Sequence, residues 1–419
     1  MAVRLLCAWL ALTIPAEAAE RVQPQISLPQ ALQRALAANP RLASADRDVG
    51  IATGLKIQAG ALPNPELSFE LDNALGSGRY RGVQSAETTL QLSQIVELGG
   101  KREARVAAGA AGVGTAVWQR RATELEVLSE TAVTFITVVG GQRRVEIFDE
   151  QIARLDELIP LLQRRVQEGA SSPAETQRAQ VAADLFRADR ERAKVQLAIA
   201  RRDLAILMGD SAPRFGTAVG RLGSTGQPPS FQSVVQAIEA NPQLMRWTAV
   251  TAQRNAELIL ARLKPIPDLR IGAGWRHFQD TNDNAVRLDF SIPLPVFDQN
   301  AGNIMAAQET LAKAGVERAV NRLVLVSLAG RAYDSLNGAL AELKLLRSSV
   351  IPNARSAADT IQSGYAQGRF TLLELLDIRG SLLQALLREQ EAQQNFHIAV
   401  ATIEGLVGNP FSLARETSR

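Results

Sequence analysis

Residues able to carry chemistry are sparse in this chain, and their spacing assembles no reactive centre. The two histidines, His277 and His397, fall on a strand-like segment and at a helix end, with no metal-ligand spacing around either. The single cysteine, Cys7, lies in an apolar leader, so a processed, exported chain would hold neither a disulfide nor a thiolate metal site. No Walker A loop is present, and Gly76-Ser77-Gly78 lacks a following helix start. No serine has a base and an orienting acid that can be assigned to it. Paired acids are plentiful on helical stretches, at the density that i,i+4 ion pairing gives. The net charge is +3, and the basic residues are interleaved with acids instead of forming blocks with aromatics, which excludes a nucleic-acid grip. No enzyme, no cofactor and no metal site is expected.

The elements carry the message instead. Hydrophobic residues make up 46% of the chain but aromatics only 5%, the palette of long packed helices. The chain states one plan twice. Ser27-Leu28-Pro29-Gln30-Ala31-Leu32 through Ala38-Asn39-Pro40 returns as Phe231-Gln232-Ser233-Val234-Val235 through Ala240-Asn241-Pro242. Leu62-Pro63-Asn64-Pro65-Glu66-Leu67 returns as Leu263-Lys264-Pro265-Ile266-Pro267-Asp268-Leu269, and Ile206-Leu207-Met208-Gly209 as Gly405-Leu406-Val407-Gly408. A repeat of this length indicates a duplicated architecture.

Val145, Phe148, Ile152, Leu155, Ile159, Leu162 and Val166 step by threes and fours, a heptad seam. The helix they belong to runs from about Gly100 to Glu168, ~100 Å at 1.5 Å per residue, with Pro160 a point for a kink and Gly140-Gly141 a point of loosening. It ends at Gly169-Ala170-Ser171-Ser172-Pro173, where Ser172 is an N-cap and Glu175 holds the capping-box position. The second copy runs from about Ala301 to Gln367, turns at Gly368-Arg369-Phe370-Thr371, and returns to Val407. Two antiparallel coiled-coil hairpins with tips at Gly169 and Gly368 result.

Four segments alternate with period two: Glu66–Asp72, Thr89–Ser93, Leu269–Arg276 and Val286–Ile292. Each extends to roughly the 9–11 residues of a tilted membrane-crossing strand. No later stretch is apolar for long enough to be a membrane helix. Four strands cannot close a barrel, and lipid tolerates only helices or closed barrels, so a membrane role requires several chains to share one. The alternative is a four-stranded sheet in water on a helical protein.

On these residues the chain resembles the TolC-type outer-membrane efflux family. Leu62-Pro63-Asn64-Pro65-Glu66-Leu67-Ser68-Phe69-Glu70 and the run from Glu87 to Arg102 resemble its heavy-metal, CzcC-like branch. The resemblance implies a mainly α fold with a small β part: duplicated long hairpins forming a periplasmic α-barrel, and four transmembrane strands per chain in a twelve-stranded barrel shared by a homotrimer. It implies a periplasmic adaptor (membrane fusion) protein and an inner-membrane RND pump as partners, with outer-membrane lipid around the barrel. Multidrug relatives are commonly lipid-anchored; Cys7, in mid-leader, is not placed for that.

The resemblance also implies site residues. Glu374 and Asp377 match acids that line a closed periplasmic mouth, Tyr365 a tyrosine before the second tip, and Glu175 the acid it bonds in the closed state. Phe370 stands where relatives carry a basic residue, and Arg369, one place earlier, is the substitute. Gly169, Ala170, Ser171, Ser172, Gly368 and Arg369 would meet the adaptor. Three copies of Glu374 and Asp377 would make acidic rings that disfavour one another's ionisation and gather cations. The domain plan is a signal peptide at 1–18, with Arg4, an apolar run and Ala16-Glu17-Ala18; a first repeat at 19–210 (strand pair about 65–95, hairpin about 99–208); a linker at 211–230; a second repeat at 231–408 (strand pair about 267–293, hairpin about 301–407); and a tail at 409–419. The expected function is a passive outer-membrane duct exporting divalent cations such as cobalt, zinc or cadmium. The same duct carrying drugs or secreted polypeptides, or a soluble periplasmic coiled-coil scaffold, are the alternatives.

Overall fold

The computed structural model describes residues 25–220, 222 and 229–408. The expected leader, with Cys7 and its cleavage site, and the tail lie outside the described residues. Strand β1 (Ile26–Ser27) leads into α1 (Leu28–Ala38) and α2 (Pro40–Ala59), followed by β2 (Glu66–Asp72) and β3 (Glu87–Val96). Helix α3 (Lys101–Gln167) and helix α4 (Pro173–Leu207) form the first hairpin. After β4 (Ala218–Val219) the plan repeats: α5 (Phe231–Ile238), α6 (Pro242–Leu263), β5 (Leu269–Phe278), β6 (Asp283–Ser291), α7 (Ala301–Leu345), α8 (Ile351–Ala366) and α9 (Leu372–Val407). None of the described helices is long and apolar enough to cross a membrane.

The helices make one layer of four rods. Helix α3 lies between α2 and α4 on one side and α6 and α9 on the other, while α7 and α8 pack on α6 and α9. The heptad seam drives this: Phe148, Ile152, Leu155, Ile159 and Leu162 are buried, against Ala179 and Ala183 of α4 and Leu372, Leu375 and Leu382 of α9. Helix α3 is unbroken through Pro160 and through Gly140-Gly141. Gly140 is a packing site: a Cβ there would stand 2.1 Å from Oε1 of Gln394 on α9. The second long rod, expected as continuous, is interrupted by a π-turn at Leu346–Val350. Pro352 explains it, because its missing N–H cannot enter the α ladder.

Two of the rods are composite, each built from two helices stacked end to end. Asn39 caps α2 by accepting from the Arg41 N–H (2.9 Å), and its amide donates to the carbonyl of Leu207, at the end of α4 (2.9 Å). Asn241 repeats this, accepting from Gln243 N–H (2.7 Å) and donating to Leu406 O at the end of α9 (2.7 Å). Both asparagines are buried. Gly209 follows α4 with φ +79, and a Cβ there would lie 2.4 Å from the Ala38 carbonyl. The two motifs that recur in sequence therefore meet in space, the end of one helix on the start of another.

The four-stranded sheet is antiparallel in the order β2-β3-β5-β6. Its central pairing joins the two copies, with Leu90 opposite Trp275 and Leu92 opposite Ala273. The join continues below the strands: Asp268 accepts from the Leu98 N–H (3.1 Å) and binds Lys101 (2.7 Å), and Ile266 fills the space a side chain at Gly99 would need. Glu97 is held by the two terminal guanidinium nitrogens of Arg105 at the base of α3. Among the described residues, the outer edges of β2 and β6 have no strand partner.

Replacing Asn39 or Asn241 by alanine removes a cap and leaves a half-buried carbonyl without its donor, a loss of roughly 1–3 kcal/mol. Asn39→Ser retains a capping oxygen but cannot reach Leu207, and is expected to recover only about 1 kcal/mol. The midpoint of thermal unfolding of the three variants is the measurement.

Candidate functional site

Two regions of the described chain have the composition of a working surface: the sheet and the hairpin tips. On the sheet, alternation sends Leu67, Phe69, Leu90, Leu92, Trp275, Val286, Leu288 and Phe290 to one face, all substantially exposed. Phe69 is 67% and Phe290 71% exposed; neither is covered by any of the described helices. The opposite face is polar and charged. Arg270 pairs with Glu66, Arg276 with Glu87 (3.0 Å) and Arg287 with Glu70 (2.9 Å). Arg276 also donates to the buried Thr89 hydroxyl (2.9 Å). Gly272 and Gly274 leave room on this face for Gln91, which a Cβ at either position would strike.

The tips share one geometry. Each helix ends in a left-handed glycine, Gly169 at φ +71 and Gly368 at φ +74. The next residue closes a Schellman turn, Ala170 N–H to Arg165 O and Arg369 N–H to Gly364 O, both 2.8 Å. Ser172 and Thr371 then cap α4 and α9. The equivalent acids that follow, Glu175 and Glu374, part company here. Glu374 completes the capping box, accepting from the Thr371 N–H (2.7 Å) and hydroxyl (2.9 Å). The N–H of Thr371, and secondarily its hydroxyl, hold the Glu374 carboxyl below the usual carboxylate range. In the protomer that direction is opposite to the one expected of bare acidic rings. Ser172 instead accepts from Ala174 (3.3 Å), and Glu175 forms no capping box.

Glu175 is thereby free to accept from the Tyr365 hydroxyl at 3.3 Å. Tyr365 is buried at the junction of the two hairpins with Leu162, Ala179 and Leu372. Burial, and next the nearby Glu175 charge, push its phenol above the usual tyrosine value, against the opposing influences of Arg165 and Ser171. The cation at this cluster is Arg165, stacked over the Tyr365 ring at 5.1 Å and donating to its carbonyl (3.5 Å). Arg369, expected in that role, is exposed and enters only through its backbone. Phe370 takes the adjoining space, its ring so close over Gly364 that a Cβ there would lie 2.3 Å away. Arg165 was missed because only its place across the seam from Tyr365, not its local sequence, marks it. Asp377 lies one turn beyond Glu374 on α9, exposed, and in no ion pair among the described residues.

The histidines remain apart. His277 Nδ1 contacts Asn284 Oδ1 (3.1 Å) across the β5–β6 pair, and His397 lies buried within α9, inside the helix and not at its end. No group of His, Cys, Asp and Glu among the described residues could hold a metal.

A helical layer of duplicated hairpins, ending in a sheet that is apolar outside and charged inside, is the protomer fold of the TolC-type outer-membrane channels. Residues 31–210 and 234–409 match the family model described as outer membrane efflux protein, and the chain belongs to that family. It is 27% identical over 383 residues, 91% of this chain and 90% of the relative, to the cobalt-zinc-cadmium resistance protein CzcC of Cupriavidus metallidurans. It is 27% identical to the nickel and cobalt resistance protein CnrC of the same organism, over 68% of each chain. The Campylobacter jejuni CmeC outer membrane channel has the same fold, with a TM-score of 0.76 at 16% identity over 93% of this chain and 88% of that one.

Two pH responses follow. Because the folded pKa of Glu374 is depressed, the capping box stabilises α9 above the ordinary carboxylate pKa, about 4.3, and is lost as pH falls through the folded value. Amide exchange at Leu372–Leu375, corrected for intrinsic rate, should accelerate below about pH 4, and Thr371→Ala should abolish that response. The raised Tyr365 pKa works the other way: its contribution is complete at neutral pH and is lost above about pH 10. Tyr365→Phe should weaken the tip junction by about 0.5–1.5 kcal/mol, read as faster exchange on both tips.

Proposed function

We propose that this protein is the passive outer-membrane duct of a tripartite efflux system and that its cargo is divalent heavy-metal cations, of the cobalt, zinc, cadmium or nickel kind. The observation that carries the reading is the sheet. Its apolar face is turned outward and uncovered, its inner face is ion-paired, and its two edges are open, at the end of rods ~100 Å long. Three chains would give a closed barrel of twelve strands, which satisfies every backbone group that lipid cannot. The rods would continue the duct through the periplasm, and the tips at Gly169–Ser172 and Gly368–Arg369 would meet a periplasmic adaptor. An RND-type inner-membrane pump would supply the energy, since no nucleotide or redox chemistry is legible in the chain. The names of CzcC and CnrC favour metal cargo over drugs or polypeptides.

Near the tips, Asp377 is the better candidate for a cation-gathering ring. Its carboxylate is exposed, whereas that of Glu374 is tied to Thr371. Tyr365, Glu175 and Arg165 together form the contact between hairpins that would yield if the mouth widens.

Deletion of the gene should lower the tolerated concentration of cobalt, zinc or cadmium and leave sensitivity to dyes unchanged; the reverse pattern would assign the duct to organic cargo. Recovery wholly in the aqueous periplasmic fraction would favour the scaffold. In planar bilayers, Asp377→Asn should reduce the preference for cations over anions by about twofold or more, with Glu374→Gln giving the smaller change.

A further inference from the structure

We propose that the groove where α6 lies between α3 and α7 binds an organic carboxylate. The guanidinium of Arg246 holds its oxygens, and its apolar body lies along Trp247 and Val250. The site is independent of the cargo and of the shared barrel.

A cavity of about 440 Å³ opens there, within the usual range for small-ligand sites. Its wall is small or apolar over Gly112, Ala116, Val250 and Ala314. The cations lining it are Arg246, Arg254 and Lys313, and the acid among its lining residues is Glu317. Lys313 is matched by Glu317 (3.7 Å) and Arg254 by Glu257 (2.7 Å). Arg246 is in no ion pair among the described residues. It donates to the side-chain oxygen of Gln119 (2.5 Å) and lies over the Trp247 ring at 5.0 Å. Its Nε–H and the indole N–H of Trp247 are buried and have no acceptor among the described residues. Buried donors in folded proteins are almost always paired. The cavity that both residues line is where an acceptor can enter.

The first copy serves as an internal control. Asn39 and Asn241 cap equivalent helices, and Leu42 and Leu244, three residues on, are both buried. On that register Arg246, Trp247 and Arg254 stand where the first copy has Ser44, Ala45 and Ala52. There α2 lies tight on α3, a Cβ at Gly109 falling 3.0 Å from the Cα of Lys56. Counted from the N-caps Gly100 and Asn300, the residue of α7 in place of that glycine is Glu309. The repeated scaffold thus needs neither an arginine nor a tryptophan at this height. Were the pair there to pack, close packing would leave no cavity beside them.

The class of occupant follows from the lining. Water can accept from both N–H groups but brings no charge for Arg246. An inorganic anion brings charge but leaves the apolar wall bare. A carboxylate on an apolar body satisfies the guanidinium, the indole and the wall together. Gly112 to Gln119 lie ~18–28 Å along α3 from Gly100, clear of the sheet. The occupant therefore arrives from water and is not a membrane acyl chain.

The test is a fluorescence titration of the purified full-length protein in detergent. Trp118→Phe and Trp275→Phe leave Trp247 as the reporter, since Trp9 falls in the expected leader. Hexanoate is expected to give a saturable change in emission and a raised thermal midpoint. Hexylammonium and inorganic phosphate are expected to give neither. Arg246→Gln should weaken hexanoate binding by about tenfold or more. Val250→Asp, which installs the residue that the first copy carries as Asp48, should abolish it by charge repulsion and serves where Arg246→Gln does not fold. A response to hexylammonium equal to that to hexanoate, or a hexanoate response unchanged in these variants, is uptake by the micelle and overturns the site. Phosphate binding as tightly as hexanoate overturns the organic class. No saturable response to any of the three overturns the proposal and leaves water as the occupant. None of these outcomes bears on the duct.

Discussion

The layer of rods depends on two buried asparagines. A rod made from one continuous helix, such as α3, needs nothing but its own ladder. The rods beside it are made from helices that belong to opposite ends of a repeat, α4 upon α2 and α9 upon α6. At each meeting point the last carbonyls of one helix and the first N–H groups of the next would be buried without partners. Asn39 and Asn241 answer both needs with one side chain, the oxygen accepting from below and the amide donating above. Aspartate could only accept, and would face the negative end of the preceding helix. The proline after each asparagine has no N–H to satisfy, which removes one orphan from the junction. Stacking of this kind lets a chain with short connections match the length of α3, and so puts the sheet and the tips at opposite ends of one layer.

Between those ends the two copies are joined differently at different heights. Close to the sheet the join is ionic and tight: Lys101 with Asp268, and Gly99 under Ile266. Mid-layer it relies on small residues, where Gly140 admits Gln394 and Gly405 admits Ser129. At the tips a tyrosine, an acid and an arginine adjoin the buried seam of Leu162, Ala179 and Leu372. Dispersion and small-residue contact hold rods rigidly because any added atom must displace a neighbour. A hydrogen bond at 3.3 Å beside a partly exposed arginine is easier to exchange for water.

Much of this was legible in sequence, and the failures have a common cause. The heptad seam from Phe148 to Leu162 and the alternation in the four strands are local patterns, and both appear where the periods put them. The glycines and hydroxyl caps of the tips are local as well. What could not be read were pairings across long separations. Ala-Asn-Pro and the Leu-containing helix ends were visible as repeats, but the bond from Asn39 to Leu207 joins residues 168 apart. Arg165 over Tyr365 is separated by 200. Gly140 looked like a weak point because a glycine in a helix usually is one; only the proximity of Gln394 makes it a contact. The π-turn before Pro352 has a local signal, the proline, but that signal is not decisive, since Pro160, about two turns from the end of α3, is accommodated without one.

The two tips show why duplication does not make the copies interchangeable. Both present an acid at the third position of the returning helix, and in both a hydroxyl stands at the cap. Thr371 draws Glu374 back upon its own helix, closing the box and spending both oxygen-facing donors locally. Ser172 bonds Ala174 instead, so the carboxylate of Glu175 keeps its capacity and turns it towards Tyr365 of the other hairpin. One acid stabilises a helix end and the other ties two hairpins together, from the same position in the same fold. A contact between hairpins thus needs unequal tips: were Glu175 also bound in a box, Tyr365 would be buried with no acceptor from that carboxylate, and the junction would lose its one direct hydrogen bond between acid and phenol. Divergence at a single cap, and not a new element, is enough to turn a repeated scaffold into one with a distinct and separable joint.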